Sequence, residues 1–86
     1  KSLLIITSVP CVYLNYNKKD QKAILNMRIS EARKHLKENQ FGVGSMKPKI
    51  EAAVSFLSGG GSKVIITSPG NIQGALEGRT GTNIVR

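Results

Sequence analysis

The residues of this sequence best suited to chemistry lie at positions 42–49, where two glycines and a serine precede a proline flanked by two lysines. Glycine lets the backbone come close to a ligand, and Ser45 is a good cap for a helix that begins here. Pro48 fits the first turn of such a helix, where its missing N–H is not needed. The free amides of that turn can bind an anion, and Lys47 and Lys49 would add positive charge.

Two interpretations of this loop stay open on the residues alone. It fits a phosphate-binding loop, but glycine and serine also precede many helices as a plain N-terminal cap. The Gly-Lys-Ser/Thr ending of a Walker loop is absent.

The elements that would position this loop are short strands and helices in alternation. Apolar, β-branched runs predict strands at residues 3–7, 64–68 and 81–85, and we expect the first two to be buried on both faces. Residues 12–16 predict a short strand or an extended loop, and residues 17–20 a turn. The alternation predicts an α/β fold, with a parallel or mixed sheet and helices packed on its faces.

Three helices are predicted. Ser30 is expected to cap a helix from residue 31 to about 38, with Ile29 as a hydrophobic staple. Asn71 caps a short helix that ends at Gly78. Between them, glycines 59–61 end a helix with a buried stripe at helical spacing, formed by Ile50, Ala53, Val54 and Leu57.

Size and composition narrow the class of protein. At 86 residues the chain is at most one small domain, and because it opens directly on a strand without a methionine we expect a piece of a longer chain. No apolar run is long enough to span a bilayer or to form a signal peptide, so we expect a cytoplasmic protein without membrane contact. A single cysteine, Cys11, and a single histidine, His35, are too few for a zinc site, and we expect Cys11 to be packed and His35 to be solvated.

The net charge of +8 predicts attraction to an anion, and nucleic acid, acidic membrane and phosphorylated small molecules all qualify. With two tyrosines, two phenylalanines and no tryptophan, the sequence lacks the interleaved aromatic and basic pattern that stacks single-stranded bases. A small basic module for nucleic acid is therefore an alternative supported by charge alone.

The run Gly-Ser-Met-Lys-Pro-Lys at residues 44–49 resembles the Gly-Ser-Met-x-Pro-Lys segment of carbamate kinases, within the amino acid kinase superfamily. Residues 3–7, 12–16, 20–22, 40–41, 63–68 and 75–82 also appear in that family's order and approximate spacing, so the resemblance covers essentially the whole chain. The part covered is the carboxy-terminal part of a carbamate kinase, whose full chain is several times longer. Another amino acid kinase, such as a uridylate kinase, is a further alternative that this run does not favour.

The resemblance implies a fold and an activity. The fold would be part of a three-layer α/β/α sandwich, in which residues 1–86 are the carboxy-terminal nucleotide-binding portion. The activity would be reversible phosphoryl transfer between ATP and carbamate, with magnesium, in a homodimer of arginine metabolism. The useful direction usually makes ATP from ADP and carbamoyl phosphate. Since the amino-terminal phosphate loop and most of the carbamate site are missing, we expect the 86-residue piece to be inactive alone.

The resemblance also implies roles for residues in the loop at positions 42–49. Lys49 matches the family lysine that reaches the transferred phosphoryl group, where a fixed cation stabilises the charge on the equatorial oxygens. Gly44, Ser45 and Met46 would line the nucleotide side of the loop, and Pro48 would hold its shape.

A second group of implied site residues follows the first strand. Thr7, Ser8 and Val9 match the segment bordering the nucleoside, and Val12 and Tyr13 would flank adenine. Packing in the core or a lid is the alternative for Tyr13 and Met46, and for Tyr13 it explains the residue equally well. Some relatives have Asp-Val-Asp-Gly where this chain has Ser-Val-Pro-Cys at residues 8–11, so the resemblance supports backbone contacts at positions 8 and 10 better than side-chain contacts.

Overall fold

The computed structural model describes residues 1–15, 18–38, 40–41 and 46–86. These residues form six strands and three helices, of which β3 and β4 have no counterpart among the predicted elements. In chain order the elements are β1 (Ser2–Ile6), β2 (Val12–Leu14), β3 (Lys22–Ile24), β4 (Asn26–Arg28), α1 (Ile29–Lys37), α2 (Met46–Ser58), β5 (Lys63–Thr67), a 3-10 turn (Pro69–Asn71), α3 (Ile72–Leu76) and β6 (Thr82–Val85).

Four strands form one mixed sheet in the order β1-β5-β6-β4. β1 runs parallel to β5, β4 runs parallel to β6, and the central pair of β5 and β6 is antiparallel. The remaining two strands, β2 and β3, form a separate antiparallel hairpin. The predicted α/β fold with a parallel or mixed sheet and flanking helices is confirmed.

One face of this sheet carries the apolar core. Register places Val64 and Ile84 opposite each other on that face, with Met27 of β4 beside them, and all three are buried. α1 and α2 cover this face, since Ala32 of α1 and the predicted α2 residues Ile50, Ala53 and Leu57 are fully buried in the same cluster. Val54 is half-buried at its margin. The spacing of the α2 stripe thus predicted its packing face correctly.

The other face of the sheet is covered only in part. Ile65 and Thr67 lie on it, and α3 packs against β5 there. Their register partners on β1, Leu4 and Ile6, are each 41% exposed. The prediction that β1 is buried on both faces is therefore wrong, because in the described part of the chain β1 is an edge strand with no layer over its outer face.

The start of α1 differs from the prediction as well. The helix begins at Ile29, so Ser30 lies inside its first turn and is not the N-cap. Arg28 is the N-cap, with extended φ and ψ of −92° and 161°, because β4 continues directly into the helix. The carboxylate of Glu31 reaches back and accepts a hydrogen bond from the Arg28 amide at 2.9 Å, which satisfies a donor that the helix leaves free.

In the described segments, no helix has both the length and the apolar character that a membrane span requires.

Candidate functional site

β1 and β5 end side by side at one edge of the sheet. Ile6 pairs with Thr67, and one residue further along, the Thr7 amide donates a hydrogen bond of 2.8 Å to the Thr67 carbonyl oxygen. Ligands of α/β proteins bind outside the carboxyl ends of the strands. This edge is therefore the first place to look for a site.

The segment that leaves β1 crosses this edge in a series of bends. Thr7 is buried at 5% exposure, Ser8 is exposed, and Val9 is half-buried. Cys11, which the sequence predicted to be packed, is 5% exposed. The segment thus presents the Ser8 side chain and neighbouring backbone to solvent while its two ends are held in the protein.

The hairpin of β2 and β3 follows at once. Val12 is fully buried and belongs to the core cluster, whereas Tyr13, the next residue, is half-buried. Val12 faces Ile24 across the hairpin, and Tyr13 faces Ala23. Because adjacent strand residues point to opposite sides, the burial of Val12 fixes the side on which Tyr13 stands.

The beginning of α2 lies at the same edge of the sheet. Residues 59–62 are the short link between the end of α2 and the start of β5, and α2 packs against both β5 and β1. The helix must therefore run back along the sheet, so that its first turn reaches the edge where β1 and β5 end. Chain topology therefore puts the first turn of α2 and the described segment after β1 at the same end of the sheet.

The first turn of α2 is electropositive. It carries no acidic residue, while Lys47 and Lys49 are both half-buried and Pro48 is exposed. The Met46 side chain is half-buried and packs against the core cluster, and Ile50 is fully buried in it, so the turn is anchored on both sides of the lysines. Gly44 and Ser45, the other predicted members of the loop, lie outside the described residues.

One residue beside the site was not singled out by the sequence. The Thr82 hydroxyl, fully buried at the start of β6, accepts a 2.8 Å hydrogen bond from the Val12 amide and donates to the Ile24 carbonyl. The sequence placed Thr82 in the predicted last strand, residues 81–85, and a threonine at a strand start carries no signal that would mark such a contact.

Within residues 1–15, 18–38, 40–41 and 46–86, no group of three His, Cys, Asp or Glu side chains could hold a metal ion.

Comparison with known proteins gives consistent matches. The model of the amino acid kinase family matches residues 1–68. The carbamate kinase of Thermoplasma acidophilum is 54% identical over 84 residues, which are 98% of this chain and 28% of that protein. The carbamate kinase of Clostridium perfringens is 46% identical over 86 residues, which are 99% of this chain and 27% of that protein. The chain thus spans little more than a quarter of the length of these curated relatives.

Solved structures agree with the sequence matches. The carbamate kinase from Giardia lamblia bound to AMP-PNP superposes with a TM-score of 0.92 at 36% identity, over 99% of this chain and 30% of that one. A second structure of the Giardia enzyme gives a TM-score of 0.88 over 98% of this chain and 29% of its own. The resemblance to carbamate kinases and the amino acid kinase-like fold are confirmed, and these matches do not favour a nucleic-acid module.

Proposed function

Because the chain belongs to the amino acid kinase family, we propose that it is the carboxy-terminal, nucleotide-binding portion of a carbamate kinase. The whole protein would transfer a phosphoryl group reversibly between ATP and carbamate, with ADP and carbamoyl phosphate as the other pair of reactants. The remainder of that protein would supply most of the carbamate site.

The observation that carries this proposal is the meeting of two segments at one sheet edge. The segment after β1 and the first turn of α2 both lie where β1 and β5 end, and that turn is electropositive. A nucleotide has an uncharged base and a chain of anionic phosphates, so it needs both a bordering surface and a cationic turn. The likeness to a carbamate kinase that holds AMP-PNP supports the same assignment.

Each residue then has a physical task. Thr7, Ser8 and Val9 would border the nucleoside, mainly through backbone groups, and Tyr13 would present its ring to adenine. The fully buried Val12 would anchor β2 in the core and so fix where Tyr13 stands.

The phosphates would lie at the start of α2. Gly44, Ser45 and Met46 would line that side, and Pro48 would hold the shape of the turn. The Lys49 ammonium would stabilise the negative charge that spreads over the transferred phosphoryl group. Magnesium would accompany the nucleotide, since it is bound largely through substrate phosphates in such sites, and the described residues contain no group of three side chains that could hold a metal ion. A homodimer and a cytoplasmic location are further parts of the proposal.

An NMR titration of the protein with MgADP tests the proposal. We expect amide shifts at residues 7–13 and 46–49, except at Pro10 and Pro48, which have no backbone N–H. We expect Lys49→Ala to weaken binding about tenfold, since a charged hydrogen-bonding group is lost. Lys47→Ala is the matched control, because it removes the same charge from the same helical turn. Equal effects of the two substitutions would mean that the basic turn attracts the nucleotide without a specific role for Lys49. A well-folded protein that shows no amide shifts would contradict the proposed site.

A further inference from the structure

We propose that Thr82 is a positioning residue of the nucleotide site, acting through the backbone of the β2–β3 hairpin. This inference rests on the proposed function, because it assigns a reason for the placement of Val12 and Tyr13. Thr82 itself is fully buried and would not touch the nucleotide.

The hydroxyl of Thr82 is placed by the antiparallel pair of β5 and β6. Thr82 pairs with Ile66, so its side chain stands on the core face of the sheet, two residues before the buried Ile84. Gly81, just before it, has a φ of +77°, and a Cβ there would lie 3.0 Å from the Ile66 carbonyl oxygen. A glycine is therefore required for β6 to start this close to β5, and the close start directs the Thr82 hydroxyl toward the hairpin.

The hydroxyl joins both strands of the hairpin to β6. Val12 and Ile24 are register partners, and Thr82 accepts from the amide of the first and donates to the carbonyl of the second. The Asn83 amide donates a further 2.8 Å bond to the Leu25 carbonyl, just beyond β3. A threonine hydroxyl has one donor and acceptor capacity, and both are used here. Without it, the Val12 amide would be a buried donor that has lost this acceptor.

The hydrogen bond at Val12 also controls the placement of Tyr13. Val12 lies within the core, and Tyr13 is the next residue on the same strand. If the Val12 amide loses its link to β6, the hairpin can shift relative to the sheet edge where α2 begins. The base-binding surface would then no longer keep its distance from the lysines of α2.

A second buried threonine provides a matched control. Thr67 is also fully buried, but its hydroxyl has no hydrogen-bond partner among the described residues. Thr67→Val and Thr82→Val make the same chemical change at equal burial, and they differ in the number of hydrogen bonds lost. An effect that depends on positioning must appear in Thr82→Val and be absent from Thr67→Val.

The experiment measures the ADP dissociation constant, and the KM for nucleotide separately from kcat, in the intact protein that carries these residues. Deuterium exchange of peptides covering residues 8–14 reports the hairpin directly, without nucleotide. We expect Thr82→Val to speed that exchange. It should also raise the ADP dissociation constant and the KM for nucleotide about tenfold, which corresponds to the loss of one hydrogen bond. The change in kcat should be smaller. Thr82→Ser, which keeps the hydroxyl, restores both, and Thr67→Val resembles the wild type.

The inference is overturned if Thr82→Val speeds exchange at residues 8–14 while ADP binding stays at the wild-type value, or if Thr67→Val weakens ADP equally. Should Thr82→Val fail to fold, Thr82→Cys replaces it, because a thiol is a weaker donor and acceptor. Wild-type ADP affinity in a folded Thr82→Cys protein with faster exchange likewise overturns it. A wild type that does not bind ADP contradicts the proposed function as well, so the two failures are distinguishable.

Discussion

Gly61 lies directly against the ring of Phe56, and a Cβ at position 61 would be 2.2 Å from Cε2 of that ring. The Gly61 amide also donates a hydrogen bond of 3.0 Å to the Phe56 carbonyl oxygen. These contacts close the turn between α2 and β5. The turn therefore helps to fix the position of α2 along the direction of the strands. The lysines of the candidate site lie at the other end of this helix, so their position depends on the same turn.

We expect Gly61→Ala to lower the free energy of unfolding by about 1–3 kcal/mol, because the new methyl group forces the Phe56 ring out of its packing against the core. Urea denaturation measures this loss. Gly70→Ala is the control, since a Cβ there meets nothing within 4 Å. Adding Phe56→Leu to Gly61→Ala should recover part of the loss, and a purely additive pair would contradict the steric explanation.

Glu31→Ala should destabilise the protein by about 0.5–1 kcal/mol, because it removes the acceptor of the Arg28 amide and an acidic group from the first turn of α1. Thermal unfolding followed by circular dichroism measures the change. Glu31→Gln keeps a hydrogen-bond acceptor and should lose less. Glu51→Ala, at an exposed position further along α2, serves as the control, and an equal effect there would argue against the capping contact.

The 86-residue chain expressed alone should self-associate through β1. Leu4 and Ile6 are each 41% exposed on an edge strand, and such edges pair with other chains. Ile6→Lys should move the mass measured by sedimentation toward the 9.3 kDa of a monomer. Leu25→Lys tests a 47% exposed leucine away from this strand. If Leu25→Lys dissociates the chain equally well, β1 is not the contact.

Much of the fold follows from local pattern. The stripe of α2 has the helical period, and β5 is an unbroken β-branched run, so both were predicted close to their observed bounds. β3 (Lys-Ala-Ile) and β4 (Asn-Met-Arg) were missed because each is only three residues long, and together they contain a single β-branched residue and no aromatic residue to mark a strand run. The N-cap of α1 was predicted at Ser30 because serine commonly caps helices. In the structure β4 continues into α1 without a loop, so Arg28, the last residue of the strand, is the N-cap.

The candidate site was predictable only in its parts. A helix start with lysines and a strand end with small residues can each be seen in the sequence, and the fold places them at one edge. The role of Thr82 could not be predicted, because its partners Val12 and Ile24 are 70 and 58 residues away in sequence. Contacts between residues so far apart in sequence depend on the register of the sheet. That register is set by the packing of the whole core, which local sequence patterns do not show.

The strand pairing also has a consequence for the rate at which this protein reaches its native state. Both parallel pairs of the sheet, β1 with β5 and β4 with β6, unite early and late segments of the chain. Closing such long loops costs entropy before any contact compensates for it, so chains rich in non-local strand pairs fold more slowly than helical bundles. During synthesis, β1 therefore cannot pair with its neighbour β5 until β5 has left the ribosome.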